Sequence, residues 1–266
     1  MTSWMRGVCD ANGINIHYLR TGGCKPPLVL LHGLTGSGAC WTPLARALEA
    51  EYDVVMPDAR GHGNSSTPRN LYRYQDHASD IVEFIQALAL AAPVLLGHSM
   101  GGMTAAVVGS QMATAIRAVI LADPTFLSPE RQREVHESDA VEQHRRLLSL
   151  SNGEVLAQLR LRHPQRSSEH IELIAEARLQ TRIDAFDVLT PPNPEYHELI
   201  GTINVPMLLV IGDKGVVSLE MARELQNLNP RLRVQQIQDV GHALPYDQPK
   251  RFEAVVRSFL RSLAAP

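Results

Sequence analysis

A chain of 266 residues can bury roughly three-quarters of its unfolded surface in one large core, so it needs no covalent staple. Its formal charge of −3 offers no basic field for nucleic acid and no strongly acidic field, which leaves a small neutral or mixed-charge molecule as the expected partner. The three cysteines, Cys9, Cys24 and Cys40, are odd in number and widely spaced, which excludes a disulfide scaffold and a Cys-x-x-Cys metal pair.

The opening Met1-Thr2-Ser3-Trp4-Met5-Arg6-Gly7 lacks the apolar stretch of a secretory signal. The longest apolar run, residues 87–96, is broken by Pro93 and is far too short for a membrane span. The expectation is a cytoplasmic protein with neither a nucleic-acid nor a membrane partner. A hairpin follows, from residues 6–9 through the Asp10-Ala11-Asn12-Gly13 turn to residues 14–18, with Asn-Gly as its cue. Short apolar runs at 28–31, 53–56, 94–96, 118–121, 207–211 and 233–237 read as further strands. Amphipathic stretches alternate with them: Ile81, Phe84, Ile85 and Leu88 recur at helical spacing, and residues 103–108 form a small-residue helix. This alternation predicts an α/β fold with a mostly parallel sheet covered on both faces.

Between Phe126 and Ile200 the pattern changes to long, charged helical stretches, notably 137–150 and 168–182, with no strand expected. The block ends at Thr190-Pro191-Pro192-Asn193-Pro194, which cannot continue a helix. Some seventy residues exceed an ordinary connection, so residues 127–200 are read as a helical lid. Residues 1–126 and 201–266 then form the core. The lid's arginines, among them Arg131, Arg145, Arg146, Arg160, Arg162 and Arg166, are mixed with Glu137, Asp139 and Glu142 and read as a solvated surface.

Chemistry is concentrated in Gly97-His98-Ser99-Met100-Gly101, a Gly-x-Ser-x-Gly segment between a predicted strand and a predicted helix. A sharp strand-to-helix turn exposes the Ser99 hydroxyl, which needs a base to become a nucleophile. Eleven histidines are available; His242, in Asp239-Val240-Gly241-His242-Ala243 after the last strand, is the expected base. His32, His62 and His98 lie in glycine-rich turns and are read as structural or oxyanion-loop residues. Two backbone N–H groups should face the developing oxyanion, one from Met100 and one from Leu34 in His32-Gly33-Leu34-Thr35-Gly36. No His-x-x-x-His or carboxylate cluster stands out as a metal site, and acyl transfer through Ser99 calls for no cofactor.

On His32-Gly33, the segment Asp58-Ala59-Arg60-Gly61-His62-Gly63-Asn64-Ser65, the elbow and Gly241-His242, the chain resembles the α/β-hydrolase superfamily. The resemblance covers nearly everything outside the lid and implies a serine hydrolase of esterase or lactonase type. In the 58–65 segment two glycines permit a tight bend, and Asp58 and Arg60 are expected to pair across it. The usual acid of such enzymes lies three residues after the glycine ending the penultimate strand, Gly212, but that position holds Gly215. Asp123 and Asp213 compete to orient His242; Asp123 is preferred, since related haloalkane dehalogenases and zearalenone lactonases carry their acid after the corresponding strand. A serine in the elbow argues against dehalogenase and epoxide-hydrolase chemistry, both of which use an aspartate there. The leading expectation is hydrolysis of a carboxylic ester or lactone, with the lid favouring a sizeable apolar or cyclic part. C–C hydrolases, thioesterases and non-turnover ligand receptors resemble the same scaffold.

Overall fold

The computed structural model describes residues 4–112 and 115–264. Met1, Thr2 and Ser3 of the amino-terminal segment considered above lie outside the described residues. Eight strands form one sheet: β1 (Met5–Ala11), β2 (Ile14–Arg20), β3 (Pro27–Leu31), β4 (Asp53–Pro57), β5 (Val94–His98), β6 (Ala118–Ala122), β7 (Met207–Lys214) and β8 (Leu232–Gly241). Their spatial order is β1-β2-β4-β3-β5-β6-β7-β8. Only β1 against β2 and β2 against β4 are antiparallel; every other pair is parallel.

The short central strands are apolar along their whole length because both sheet faces are covered. Val29, Leu31, Leu95, Val119 and Leu121 point into one core, packed by the helices α2 (Tyr74–Ala87), α3 (Met100–Gln111), α8 (Tyr196–Thr202) and α9 (Leu219–Leu228). Leu28, Leu30, Leu96, Ala118 and Ile120 point the other way, against α1 (Thr42–Leu48) and α11 (Pro249–Ala264). The period of two thus splits each strand between two cores. Between β6 and α8 lie α4 (Pro129–His136), α5 (Ala140–Leu148), α6 (Asn152–Arg162) and α7 (Ser168–Gln180), and α10 (Leu244–Asp247) follows β8. Helices α6 and α7 share a third apolar cluster through Val155, Leu159, Ile171 and Ile174.

This topology prepares a site. After β3 the chain moves outward to β4, then returns to β5 on the other side of β3, so the loops leaving β3 and β5 part in opposite directions. Such a switch point opens a crevice beyond the carboxyl ends of the strands. Leu34 follows β3 and Ser99 follows β5, which places both at that crevice.

Candidate active site

Ser99 is the only residue between β5 and α3, and it takes φ 55° and ψ −119°. A non-glycine residue with positive φ is strained, and here the reversal from strand to helix demands it. The flanking glycines make room for it. A Cβ on Gly97 would overlap the Gly101 carbonyl, and one on Gly101 would overlap the Leu31 carbonyl. Both obstacles are backbone, so neither can swing aside. Gly97→Ala is therefore expected to cost about 3 kcal/mol of stability, measurable as a lower denaturant midpoint.

The Ser99 hydroxyl lies 2.8 Å from His242 Nε2, and His242 Nδ1 lies 2.6 Å from Asp123 Oδ2. The Asp123 carboxylate accepts at Nδ1–H, which leaves Nε2 free to accept from the serine. The Asp123 side chain is fully buried, whereas that of His242 is 39% exposed. Two further donors hold the carboxylate, the backbone N–H of Val216 at 2.8 Å and that of Val217 at 3.0 Å. Of the two acids expected to compete, Asp123 reaches His242. Asp213 instead accepts the Val240 N–H at 2.9 Å, across the irregular end of the β7/β8 pairing.

Gly215 explains why the acid could come from β6. A Cβ there would lie 2.7 Å from Asp123 Oδ1 and 2.8 Å from Oδ2, so only glycine leaves the carboxylate its space. The position where relatives of this fold are expected to hold their acid is thus emptied of side chain and filled from the neighbouring strand. In the sequence that glycine marked only the missing acid; the preference for Asp123 over Asp213 came from the resemblance to enzymes that carry their acid after the corresponding strand.

The other histidines of the glycine-rich turns are structural. His98 Nε2–H donates to the His242 carbonyl at 2.8 Å, fixing the backbone that carries the His242 ring. His32 donates to the Gly33 carbonyl at 2.8 Å and accepts the Ala59 N–H at 2.9 Å. His62 donates to the Arg60 carbonyl at 2.9 Å and accepts the Thr35 N–H at 3.3 Å. Together His32 and His62 tie the β3 loop to the β4 loop and hold Leu34 over the crevice. Among the described residues neither the Leu34 nor the Met100 N–H has an acceptor; Met100 opens α3, where first-turn donors lack intrahelical partners.

The expected Asp58–Arg60 pair does not form. Asp58 turns into its own bend and accepts from His17 at 2.8 Å, Gly38 N–H at 2.7 Å and Asn64 N–H at 3.0 Å. Arg60 is buried in the opposite direction, against Asp80 of α2, with Nε 2.7 Å from the carboxylate. Each charge finds its partner across the tertiary structure, a match that sequence proximity does not reveal.

Burial also holds several of these rings neutral. Desolvation, reinforced by the neighbouring His242, lowers the His98 imidazole from 6.5 to about 3, and desolvation beside Arg60 lowers His77 to about 3. His62 is likewise pushed well down by desolvation and by His32. A histidine with a lowered folded pKa stabilises fully above the unfolded value and loses that stability as pH falls towards the folded value. The protein is therefore expected to lose stability steadily from pH 6.5 downward to about 3. Replacing His77 with Phe should reduce the pH slope of the unfolding free energy by about one proton, ~1.4 kcal/mol per pH unit, in denaturant titrations at stepped pH.

A cavity of about 220 Å³ stands over Ser99 and His242. Its walls are largely apolar, with Leu34, Leu127, Val135, Val188, Leu189 and Val216. Hydroxyl groups enter from Tyr74 and Thr125, which bond to each other at 2.8 Å. Arg131, Gln132 and Asn193 complete the polar lining, and the volume is below the usual range for drug-sized ligands. Tyr74 and Thr125 lie far apart in sequence and carried no motif, which is why sequence reasoning missed them. Among the described residues no cluster of three or more metal-ligating side chains occurs, and no described helix is long and apolar enough to cross a membrane.

A mostly parallel sheet with this strand order, a strained serine between β5 and α3, and a histidine after the last strand define an α/β hydrolase. The family model described as alpha/beta hydrolase fold matches residues 26–249, and the chain belongs to that family. N-formylmaleamate deformylase of Pseudomonas putida is 30% identical over 96% of both chains. 3-Oxoadipate enol-lactonase 1 of Acinetobacter baylyi is 23% identical over 90% of both. The crystal structure of E-2-(acetamidomethylene)succinate hydrolase superposes with a TM-score of 0.84 at 23% identity, covering 97% of this chain and all of the other.

Proposed function

We propose that this chain is a serine hydrolase that cleaves a small carboxylic ester or lactone through an acyl-enzyme. The carrying observation is the continuous hydrogen-bonded path from Ser99 Oγ through His242 to Asp123, opening on the apolar cavity. Ser99 attacks the carbonyl carbon while His242 Nε2 takes its proton, and Asp123 holds the ring and balances the imidazolium. The negative charge on the former carbonyl oxygen is met by the Leu34 and Met100 N–H groups. His242 then returns the proton to the leaving alkoxide, and a water activated by the same ring releases the acid. Residues 127–200 serve as the lid of the cavity; α4 and the segment before α8 supply its outer wall, and α8 anchors them to the core through Ile200.

A second reading, cleavage of an activated N-acyl bond, is favoured by the 30% identical deformylase over nearly full length. It uses the same residues with nitrogen in place of oxygen as leaving atom. Purified protein assayed on a panel of small esters, lactones, N-formyl amides, thioesters and vinylogous diketones separates these chemistries. Turnover of the esters or lactones at least tenfold above the other classes is the expected result. No turnover of any of them, with ligand-dependent stabilisation alone, would leave a receptor instead.

A further inference from the structure

A second cavity, about 660 Å³, opens between α5, α6 and α7. Its position is informative: Thr35 forms part of its wall, and the preceding residue, Leu34, lines the cavity over Ser99. The ionisable side chains lining it are all basic ones. Arg146, Arg162, Arg178 and His144 face it, and no carboxylate does.

These basic groups differ in what they already touch, and burial keeps the His144 ring towards its neutral form. Arg146 bonds to Glu142 at 3.5 Å, and the His144 ring bonds to the Thr181 carbonyl at 3.0 Å. Nearby Arg166 is committed to Asp247 at 2.7 Å and to the face of Tyr246. Arg162 and Arg178 have no ion-pair or side-chain hydrogen-bond partner among the described residues. Arg178 is half-buried, and its guanidinium is lowered from the ordinary value by desolvation and by Arg162 and Arg166. A partly desolvated guanidinium beside another is unfavourable until an anion joins them. The rest of the wall mixes apolar side chains, Leu147, Leu150, Val155 and Phe186, with the polar Gln143, Ser149 and Gln158.

A site that sets cations beside a run of hydrocarbon wall suits an amphiphilic organic acid better than an inorganic ion. We propose that the cavity between α5, α6 and α7 binds the carboxylate of a small organic acid through Arg178 and Arg162, with its hydrocarbon body against Leu147, Leu150 and Phe186. Arg162, read from sequence as part of a solvated surface, is indeed exposed, and with the half-buried Arg178, which sequence reasoning did not single out, it borders one cavity.

The test is calorimetric titration of the intact Ser99→Ala protein, so that binding is read independently of hydrolysis. Acetate, butyrate, hexanoate and octanoate are the probes, with hexanol as the uncharged match and inorganic phosphate as the simple anion. Affinity is expected to rise about fourfold per added methylene and to exceed that of hexanol. Arg178→Gln should weaken hexanoate about tenfold or more and abolish its advantage over hexanol. Arg162→Gln, at an exposed position where folding is not at risk, should weaken it several-fold. Arg131→Gln, which alters the wall of the Ser99 cavity, should change nothing. Equal binding of hexanol, equal or tighter binding of phosphate, or loss of hexanoate in Arg131→Gln but not in Arg178→Gln would overturn the assignment.

Discussion

Ser99→Ala is expected to lower kcat on the best ester or lactone by about 10⁵ to 10⁶-fold with KM changed by no more than a few-fold. Among the described residues the serine is the only hydroxyl hydrogen-bonded to His242 Nε2, at 2.8 Å, so no other described side chain is placed to take over the attack. The cavity walls stay in place, which is why binding should survive. Removing Oγ leaves the backbone strain at φ 55° untouched, so the fold should be retained and thermal unfolding should confirm it. A fluorophosphonate should add one covalent adduct per native chain, located on Ser99 by peptide mass mapping and absent from the variant. An adduct elsewhere, or turnover within tenfold of the parent, would remove Ser99 from the mechanism.

Asp123→Asn is expected to cost about 10⁴-fold in kcat, whereas Asp213→Asn should stay within about twofold. The asparagine keeps the shape but reverses the polarity at one atom, so the amide would donate where His242 Nδ1–H now donates. His242 would then be driven to the other tautomer, with its proton on Nε2 facing the serine. The Val216 and Val217 N–H groups, now held by the carboxylate at 2.8 and 3.0 Å, would also lose part of their acceptor. A stability loss of about 1–3 kcal/mol should accompany the kinetic effect. Gly215→Ala offers the complementary test. Its Cβ would press on both carboxylate oxygens at 2.7 and 2.8 Å, displacing Asp123 with the acid itself unchanged. A loss of about 10²-fold in kcat is expected from that displacement. If Asp213→Asn is inactive and Asp123→Asn is active, the acid comes from β7.

Much of this was open to sequence reasoning because the relevant rules are local. Apolar runs such as residues 118–121 identify the central strands buried on both faces, whereas β1 and β2, more exposed, were legible from the Asn-Gly hairpin cue. The elbow announces itself because a strand-to-helix reversal at one residue cannot tolerate a Cβ on either flank, and Gly97 and Gly101 record that requirement. His242 could be singled out from eleven histidines by its place after the final strand. By contrast, Asp58 and Arg60 stand two residues apart yet pair with His17 and Asp80, because burial sends their side chains in different directions. Proximity in sequence is no guide to partners once each side chain is inside a different core.

The sequence by itself determined the sheet, the elbow and the two residues of Ser99 and His242, since each depends on periodicity or on a steric requirement within a few residues. Only the tertiary structure decided which aspartate meets His242, because both end neighbouring strands and the choice rests on the space left by Gly215. It also decided the shape and charge of the two cavities. Their walls come from segments far apart in the chain, and whether Arg178 faces water, a carboxylate or an empty cleft is set by the packing of three helices, which no local pattern encodes.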